Sequence, residues 1–315
     1  MATLEISGRN GFKGTELLVN TCYCSRDFTE AEVTKIITEL RKKDNIRLEQ
    51  QFQDKDPIYI TKDGTKVIKL GKEFYTLDRK TKIKDANVIV GIVKYKIEKT
   101  NFDDLGITIF QSKRIEKIQT NDANLKTFTK ELNKTLKAFT INSCIRKIHF
   151  LAQIYVESGR FADTYEGLKT VPSNYQGGVD FQGRGLKQIT HDMNYLEYYD
   201  KINSTTLFKD KFKGRNNVGE GLTKYMARVP QHGFPDGFLE TLKAFAKKLS
   251  TELYYAFDSS GWFWDSRKIN NVADSDNVTA VTKLINGGDR GLSERKKYTS
   301  DLKTIFNYEK CINKK

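Results

Sequence analysis

Residues 149–167 read HFLAQIYVESGRFADTYEG, and the change of character inside this stretch decides the architecture. Up to Val156 the chain is apolar with helical spacing: Ile145, Ile148, Ala152 and Tyr155 or Val156 return to one face. Asn142 or Ser143 supplies an N-cap, and Gly159 supplies the stop. The spacing therefore predicts a helix with Glu157 at its C-terminal end. Residues 160–190 then read as loop, with Gly177, Gly178, Gly183 and Gly185 close together.

Outward from this stretch the C-terminal part is helical. Leu125, Phe128, Leu132 and Leu136 mark one apolar face before it, and helices are expected at 191–202, 237–256, 277–286 and 293–309 after it. The N-terminal part differs. Thr29 with Glu32 three residues on is a capping box, and Val33, Ile36, Ile37 and Leu40 continue it as a helix over 29–43 that stops near Lys43-Asp44. Residues 50–112 read as a small antiparallel β unit, in which Lys62-Asp63-Gly64 turns between alternating strands. The expected fold class is α+β: a mainly helical domain over 116–315 and an N-terminal module over 1–115. That module either packs its helix on the helical domain or stands as a separate unit for wall binding, docking to a delivery machine or contact with an immunity protein. No internal repeat appears.

The segment 181–190, FQGRGLKQIT, invites a phosphate-loop reading that fails. After Gly183-x-Gly185 comes Lys187-Gln188, with no third glycine and no apolar parallel strand in front. Arg184 reads as a structural arginine that ties the loop to backbone carbonyls. Two carboxylates lie upstream. Glu157 ends an apolar helix, where burial would favour the protonated form. Glu166, nine residues later, lies in a wetter loop that favours the ionised form. Such a pair suits glycoside hydrolysis, although two glutamates in a short window are common in a chain with 30% charged residues.

Three blocks in order carry a family resemblance: HFLAQIYVESGRFADTYEG, FQGRGLKQITHDMNY, and GWFWDSRKINNVADSDNVTAVTKLINGGDRGLSERKKY. Together they resemble glycoside hydrolase family 19, the chitinases and phage-type endolysins of the lysozyme-like superfamily, over roughly the C-terminal three-fifths of the chain. The resemblance implies a lysozyme-like catalytic domain and an inverting mechanism. Glu157 would be the general acid, Glu166 the general base, and Thr190 the hydroxyl that helps hold the attacking water. Gln188 and Asn194 would hydrogen-bond the sugar, Asn286 would be a substrate-side amide, and Arg295 would support the carboxylates. The sequence departs from the family where Val156 replaces a common His, where Phe181-Gln182 precede Gly-Arg-Gly, and where Met193 replaces an aromatic. Trp262 and Trp264 read as core, and so does His149. His191 is a weak candidate for the cleft.

Composition narrows the partner. The net charge of +14 favours an anionic one: nucleic acid, a membrane surface or a cell-wall polymer. With the resemblance, peptidoglycan glycan strands are the expected substrate. Chitin on the same fold is the alternative, and a non-catalytic basic module for glycan or nucleic acid is the third reading; its basic residues are too diffuse for nucleic acid to be the expected partner. No segment approaches the ~18 apolar residues of a membrane span and no Sec signal is visible, so synthesis in the cytoplasm and action at the bacterial wall after non-Sec export or lysis are expected. A secreted antibacterial effector and a phage lysis enzyme both fit. Cys22-x-Cys24 lacks a second close pair, and Cys144 and Cys311 are distant, so the cysteines read as reduced and structural, with no metal and no cofactor.

Overall fold

The capping box at the start of the first helix forms in both directions: Thr29 Oγ1 accepts from the Glu32 N–H (3.2 Å), and Glu32 Oε2 accepts from the Thr29 N–H (2.9 Å). Helix α1 then runs Glu30–Lys55, well past the stop expected near Lys43-Asp44. Asp44 is no terminator. It is buried and accepts hydrogen bonds from the hydroxyls of Tyr155 (2.9 Å) and Tyr298 (2.8 Å) and from Arg160 Nε (3.0 Å). The helix ends just before Asp56-Pro57, where proline disfavours helical geometry in the residue ahead of it. Residues 50–55, expected in the β unit, belong to this helix.

The computed structural model describes residues 23–55, 58–70, 73–76, 81–83, 91–93, 109–110, 114–168, 170–171, 175–212 and 220–311. It is mostly helical, with a small antiparallel sheet, in keeping with the α+β expectation. The strands are β1 (Ile58–Ile60), β2 (Lys66–Leu70), β3 (Glu73–Thr76), β4 (Lys82–Ile83) and β5 (Gly91–Val93), ordered β4-β3-β2-β1-β5. The expected Lys62-Asp63-Gly64 turn joins β1 to β2. Gly64 takes the left-handed conformation (φ 85°), and Asp63 Oδ1 accepts from the Thr65 N–H at 3.1 Å. The rest of the segment 84–112 lies outside the described residues, apart from β5 and residues 109–110.

The helical part continues with α2 (Leu125–Ala138), α3 (Cys144–Glu157), α4 (Asp192–Asn203), α5 (Leu207–Lys211), α6 (Leu222–Arg228), α7 (Phe238–Thr251), α8 (Leu253–Ser266), α9 (Ile269–Ala273), α10 (Val278–Asn286) and α11 (Leu292–Ile305). The expected helix over 237–256 is two helices broken at Glu252, whose backbone is extended (φ −118°, ψ 119°). Ser143 is the N-cap of α3, its hydroxyl accepting from the Arg146 N–H. The core does not begin at residue 116. Tyr23, Phe28, Val33, Ile37 and Leu40 are buried in the same cluster as Phe128, Leu132, Tyr155 and Phe306, so the segment from Tyr23 to Asp44 is part of the helical body. Val67 and Ile68 of the sheet are buried outside that cluster. Among the described residues, no helix is long and apolar enough to cross a membrane.

Helices α2 and α8 meet at Gly261. A Cβ there would lie 2.2 Å from Phe139 Cδ2 and 2.7 Å from Thr135 Cγ2. Alanine would gain about 1 kcal/mol of helix propensity. Overpacking a close helix contact typically costs ~1–3 kcal/mol, so the clash wins. Gly261→Ala should therefore lower the urea midpoint, and an unchanged or raised midpoint would show that the two helices can move apart freely.

Candidate active site

Helix α3, the loop 159–190 and the α10–α11 turn enclose a cleft of about 890 Å³. All seven residues singled out in the sequence line it: Glu157, Glu166, Gln188, Thr190, Asn194, Asn286 and Arg295. Their hydrogen bonds show what each is committed to.

Glu157 ends α3 and is half-buried, as its helix position predicts. Its surroundings are not the apolar wall expected. Arg295, buried on α11, donates from Nη2 to Glu157 Oε1 at 2.6 Å, and its Nη1 donates to Gln153 Oε1. Lys187 adds a second cation to this corner. Its Nζ sits 4.3 Å above the Phe263 ring. Burial pulls its pKa down to about 8, against the opposing pull of Glu157. The sequence offered no reason to single out Lys187, which it showed only as a residue that spoils a phosphate motif.

Glu166 is held by the loop. Gly183 N–H donates to its Oε2 at 3.0 Å, and the Tyr175 hydroxyl donates to the same oxygen at 3.3 Å. The backbones pair as well, Glu166 N–H to Gly183 O at 2.9 Å. A Cβ at position 183 would lie 2.7 Å from Gln188 Oε1 and 3.2 Å from Glu166 Oε2, so a side chain there would displace the Gln188 amide and press on the carboxylate. Tyr175 also interacts with Thr190, and burial followed by the Glu166 charge raises its pKa. This tyrosine therefore links the two residues that the resemblance pairs around a water. A single tyrosine in a loop gave no signal in the sequence. His191 reaches the cleft too, its ring 4.7 Å from that of Tyr175.

The three amides are engaged with local backbone. Gln188 Nε2 donates to Gly185 O (2.8 Å), Asn194 Nδ2 to Thr190 O (2.7 Å), and Asn286 Nδ2 to Arg290 O (2.7 Å). Asn194 Oδ1 accepts from Arg267 at 3.3 Å, and Asn286 Oδ1 accepts from the Gly288 N–H at 2.9 Å. They shape the rim more directly than they present donors to it. Arg184 is the structural arginine the sequence suggested. Buried, it pairs with Glu116 through Nε (2.7 Å) and Nη2 (2.9 Å) and donates from Nη1 to Asp180 O (2.7 Å). Burial pushes the Glu116 carboxyl up, but hydrogen bonds from Arg184 and Ser250 outweigh it and leave its pKa lowered. Trp262 and Trp264 are core, and Phe263 between them faces the cleft. His149 is fully buried, its Nε2 3.0 Å from Asp276 Oδ1.

The lining is strongly cationic. Arg114, Lys187, Arg267, Lys283, Arg290 and Arg295 face three carboxylates, Glu157, Asp163 and Glu166. Such a concave basic surface attracts anionic ligands and repels cations.

Two stability measurements follow. Glu116→Leu leaves the buried Arg184 guanidinium uncompensated and should cost about 3–5 kcal/mol in urea unfolding. A loss under ~1 kcal/mol would mean that the pair does not hold the loop. For Lys187, the unfolded chain keeps a proton up to about pH 10.5 that the folded chain releases near pH 8. Folding stability therefore rises with pH across that window, by up to about 3 kcal/mol from this residue. Wild type should gain on Lys187→Met between pH 7 and pH 10, and parallel stability curves would refute the shifted lysine.

No protein-family model matches the chain, and no curated protein matches it. Among solved structures a chitinase C mutant aligns with a TM-score of 0.36 and 16% identity, over 56% of this chain and 83% of that one. A likeness of that size carries no argument, so the resemblance to glycoside hydrolase family 19 rests on the residues quoted above.

Proposed function

We propose that the chain is a glycoside hydrolase that cuts β-1,4 links in peptidoglycan glycan strands by inversion. The supporting observation is that two carboxylates, anchored in different ways, line one cleft rich in cations. Glu157 is the acid in this reading. Arg295 holds Oε1, which leaves Oε2 to protonate the departing glycosidic oxygen, and the carboxylate left behind is then stabilised by Arg295 and Lys187. Glu166 is the base. Its Oε2 is oriented by Gly183 and Tyr175, which leaves Oε1 to take a proton from a water that Thr190 helps to position. The basic lining favours peptidoglycan over chitin, because peptide-substituted glycan carries carboxylates and chitin is neutral. The bacterial cell wall is then the place of action.

Glu157→Gln and Glu166→Gln should each lower solubilisation of purified sacculi by about 10²–10⁴-fold with the fold intact by circular dichroism. If Glu157→Gln releases muropeptides at the wild-type rate, the assignment of the acid is wrong. Wild-type turnover of sacculi should exceed that of chito-oligosaccharides and should fall as salt screens the cleft. The reverse preference would make the enzyme a chitinase.

A further inference from the structure

The cations of the cleft lining are not equivalent. Arg295 is committed to Glu157 and Gln153, and Arg114 lies 3.8 Å from Asp163. Lys283 and Arg290 are exposed and keep their hydration. Lys187 and Arg267 differ from all four. Lys187 is only 7% exposed, and among the described residues its ammonium makes no hydrogen bond and no ion pair. Arg267, the C-cap of α8, is half-buried. Its Nη1 donates to Ser266 Oγ at 3.0 Å and its Nη2 to Asn194 Oδ1 at 3.3 Å, both neutral acceptors. It too has no ion pair among the described residues. Both cations lie over one ring, Lys187 Nζ 4.3 Å and Arg267 Cζ 3.5 Å from the centroid of Phe263. We propose that Lys187 and Arg267 form a carboxylate subsite that reads the acidic arm of the glycan, either the lactyl group of the muramic sugar or the short peptide attached to it. The identity of the ligand rests on the glycosidase reading; the two-cation site does not.

Burying an ammonium is costly unless an opposite charge or hydrogen-bond acceptors replace its water. A buried polar group without a partner is uncommon in folded proteins. The Phe263 face compensates in part by cation–π attraction, but it does not replace the hydrogen bonds that water gave. Burial and two like charges, Arg295 and Arg267, disfavour the Lys187 ammonium, and Glu157 acts the other way. Glu157 Oε1 is already held by Arg295.

A carboxylate answers these deficits together. One oxygen accepts from Lys187 Nζ, and the other accepts from the N–H groups of Arg267 that Ser266 and Asn194 leave open. The anion also relieves the repulsion between the two cations. A neutral acetamido or hydroxyl group supplies acceptors but leaves both charges uncompensated. The pair therefore discriminates acidic from neutral glycan. The exposed Lys283 and Arg290 discriminate less, because water and salt screen them. Position supports the same role. Lys187 belongs to the loop pinned by Arg184, and Arg267 is fixed by Asn194 on α4, whose Nδ2 holds Thr190 O. The loop, α4 and α8 thus build the subsite on the cleft that both glutamates line.

The experiment measures binding to the full chain carrying Glu166→Gln, which keeps turnover from consuming the ligand. The probes are a β-1,4 tetrasaccharide of N-acetylglucosamine and N-acetylmuramic acid with free lactyl carboxylates, the same compound with those carboxyls converted to methylamides, and the same compound with a dipeptide of alanine and glutamate on each lactyl group, which moves the acid onto the peptide. Calorimetry should give a Kd for the methylamide about 10–100-fold weaker than for the tighter of the two acids. Which acid binds more tightly identifies the arm that is read. Lys187→Met and Arg267→Met should each lower that ratio at least about fivefold. A merely structural role would weaken all three ligands together and leave the ratio as it is. The ratio is read first with both cations in place, so a variant that fails to fold does not hide the answer. Equal binding of acids and methylamide, or no binding of any of them at millimolar concentration, would overturn the proposal. So would an unchanged ratio in the folded Lys187→Met and Arg267→Met proteins. Wild-type turnover is read separately. Hydrolysis without acid preference removes the subsite and leaves the glycosidase standing, whereas acid preference without hydrolysis supports the two-cation site and removes the glycosidase.

Discussion

The Arg184 guanidinium is the contact on which the rest of the cleft depends. One planar group satisfies the Glu116 carboxylate with two bonds and the Asp180 carbonyl with a third. It also covers the Tyr165 ring at 4.9 Å. Lysine could not replace it, because a single ammonium does not present a fork in one plane. The pin fixes the backbone on either side. Gly183 then offers its N–H to Glu166, and Lys187 and Thr190 follow at fixed offsets. The loop has little regular structure to hold it, so its shape comes from this buried pair and from short backbone contacts such as Arg184 N–H to Ile189 O at 3.1 Å.

Asp44 does the corresponding work on the other side of the body. Two tyrosine hydroxyls and an arginine converge on it from α3, from the turn after α3 and from α11. It couples α1, the helix that delivers Glu157, and the helix that carries Arg295. A carboxylate placed there without those partners would be costly to bury. With them, it orients three elements at once.

What the sequence made legible follows from the range of the interactions. The Thr29–Glu32 capping box, the Lys62-Asp63-Gly64 turn, the Ser143 cap and the apolar face of α3 are local, and their residues state their roles within a few positions. Long-range roles were not legible. Asp44 looked like a helix stop because its partners are 111 and 254 positions away. The break at Glu252 has no glycine or proline to announce it. Gln188, Asn194 and Asn286 were recognisable as cleft residues from the family pattern, but nothing in the pattern told that their amide donors serve nearby carbonyls. Tyr175 and Lys187 were invisible for the same reason: their meaning comes from the carboxylates they face. The cysteines read as reduced and structural, as the buried thiols of Cys24 and Cys144 are, whereas the Cys311 sulfur is in a disulfide and Cys22 lies outside the described residues. That the Cys24 and Cys311 sulfurs lie 3.5 Å apart was not legible, since they are 287 positions apart.

The two carboxylates are placed by independent systems, and the chain between them shows how their relation is kept. Glu157 belongs to the α3–α11 pair through Arg295, while Glu166 belongs to the loop pinned by Arg184. Between them Gly159, Arg160 and Phe161 all take positive φ (55°, 69° and 60°). For the two non-glycine residues this conformation costs about 1–2 kcal/mol each. The cost is offset by contacts that only this turn permits. Phe161 is buried edge-on against Phe128 and Tyr155, Arg160 reaches Asp44, and Ser158 Oγ accepts the Phe161 N–H at 3.1 Å. A tight reversal held this way sends the chain back along the cleft within nine residues, so that the second glutamate lines the same cleft as the first. A relaxed extended exit from α3 would carry Glu166 away from it. The strain therefore sits where the proposed reaction would need the two groups brought together, and the buried residues around it offset its cost.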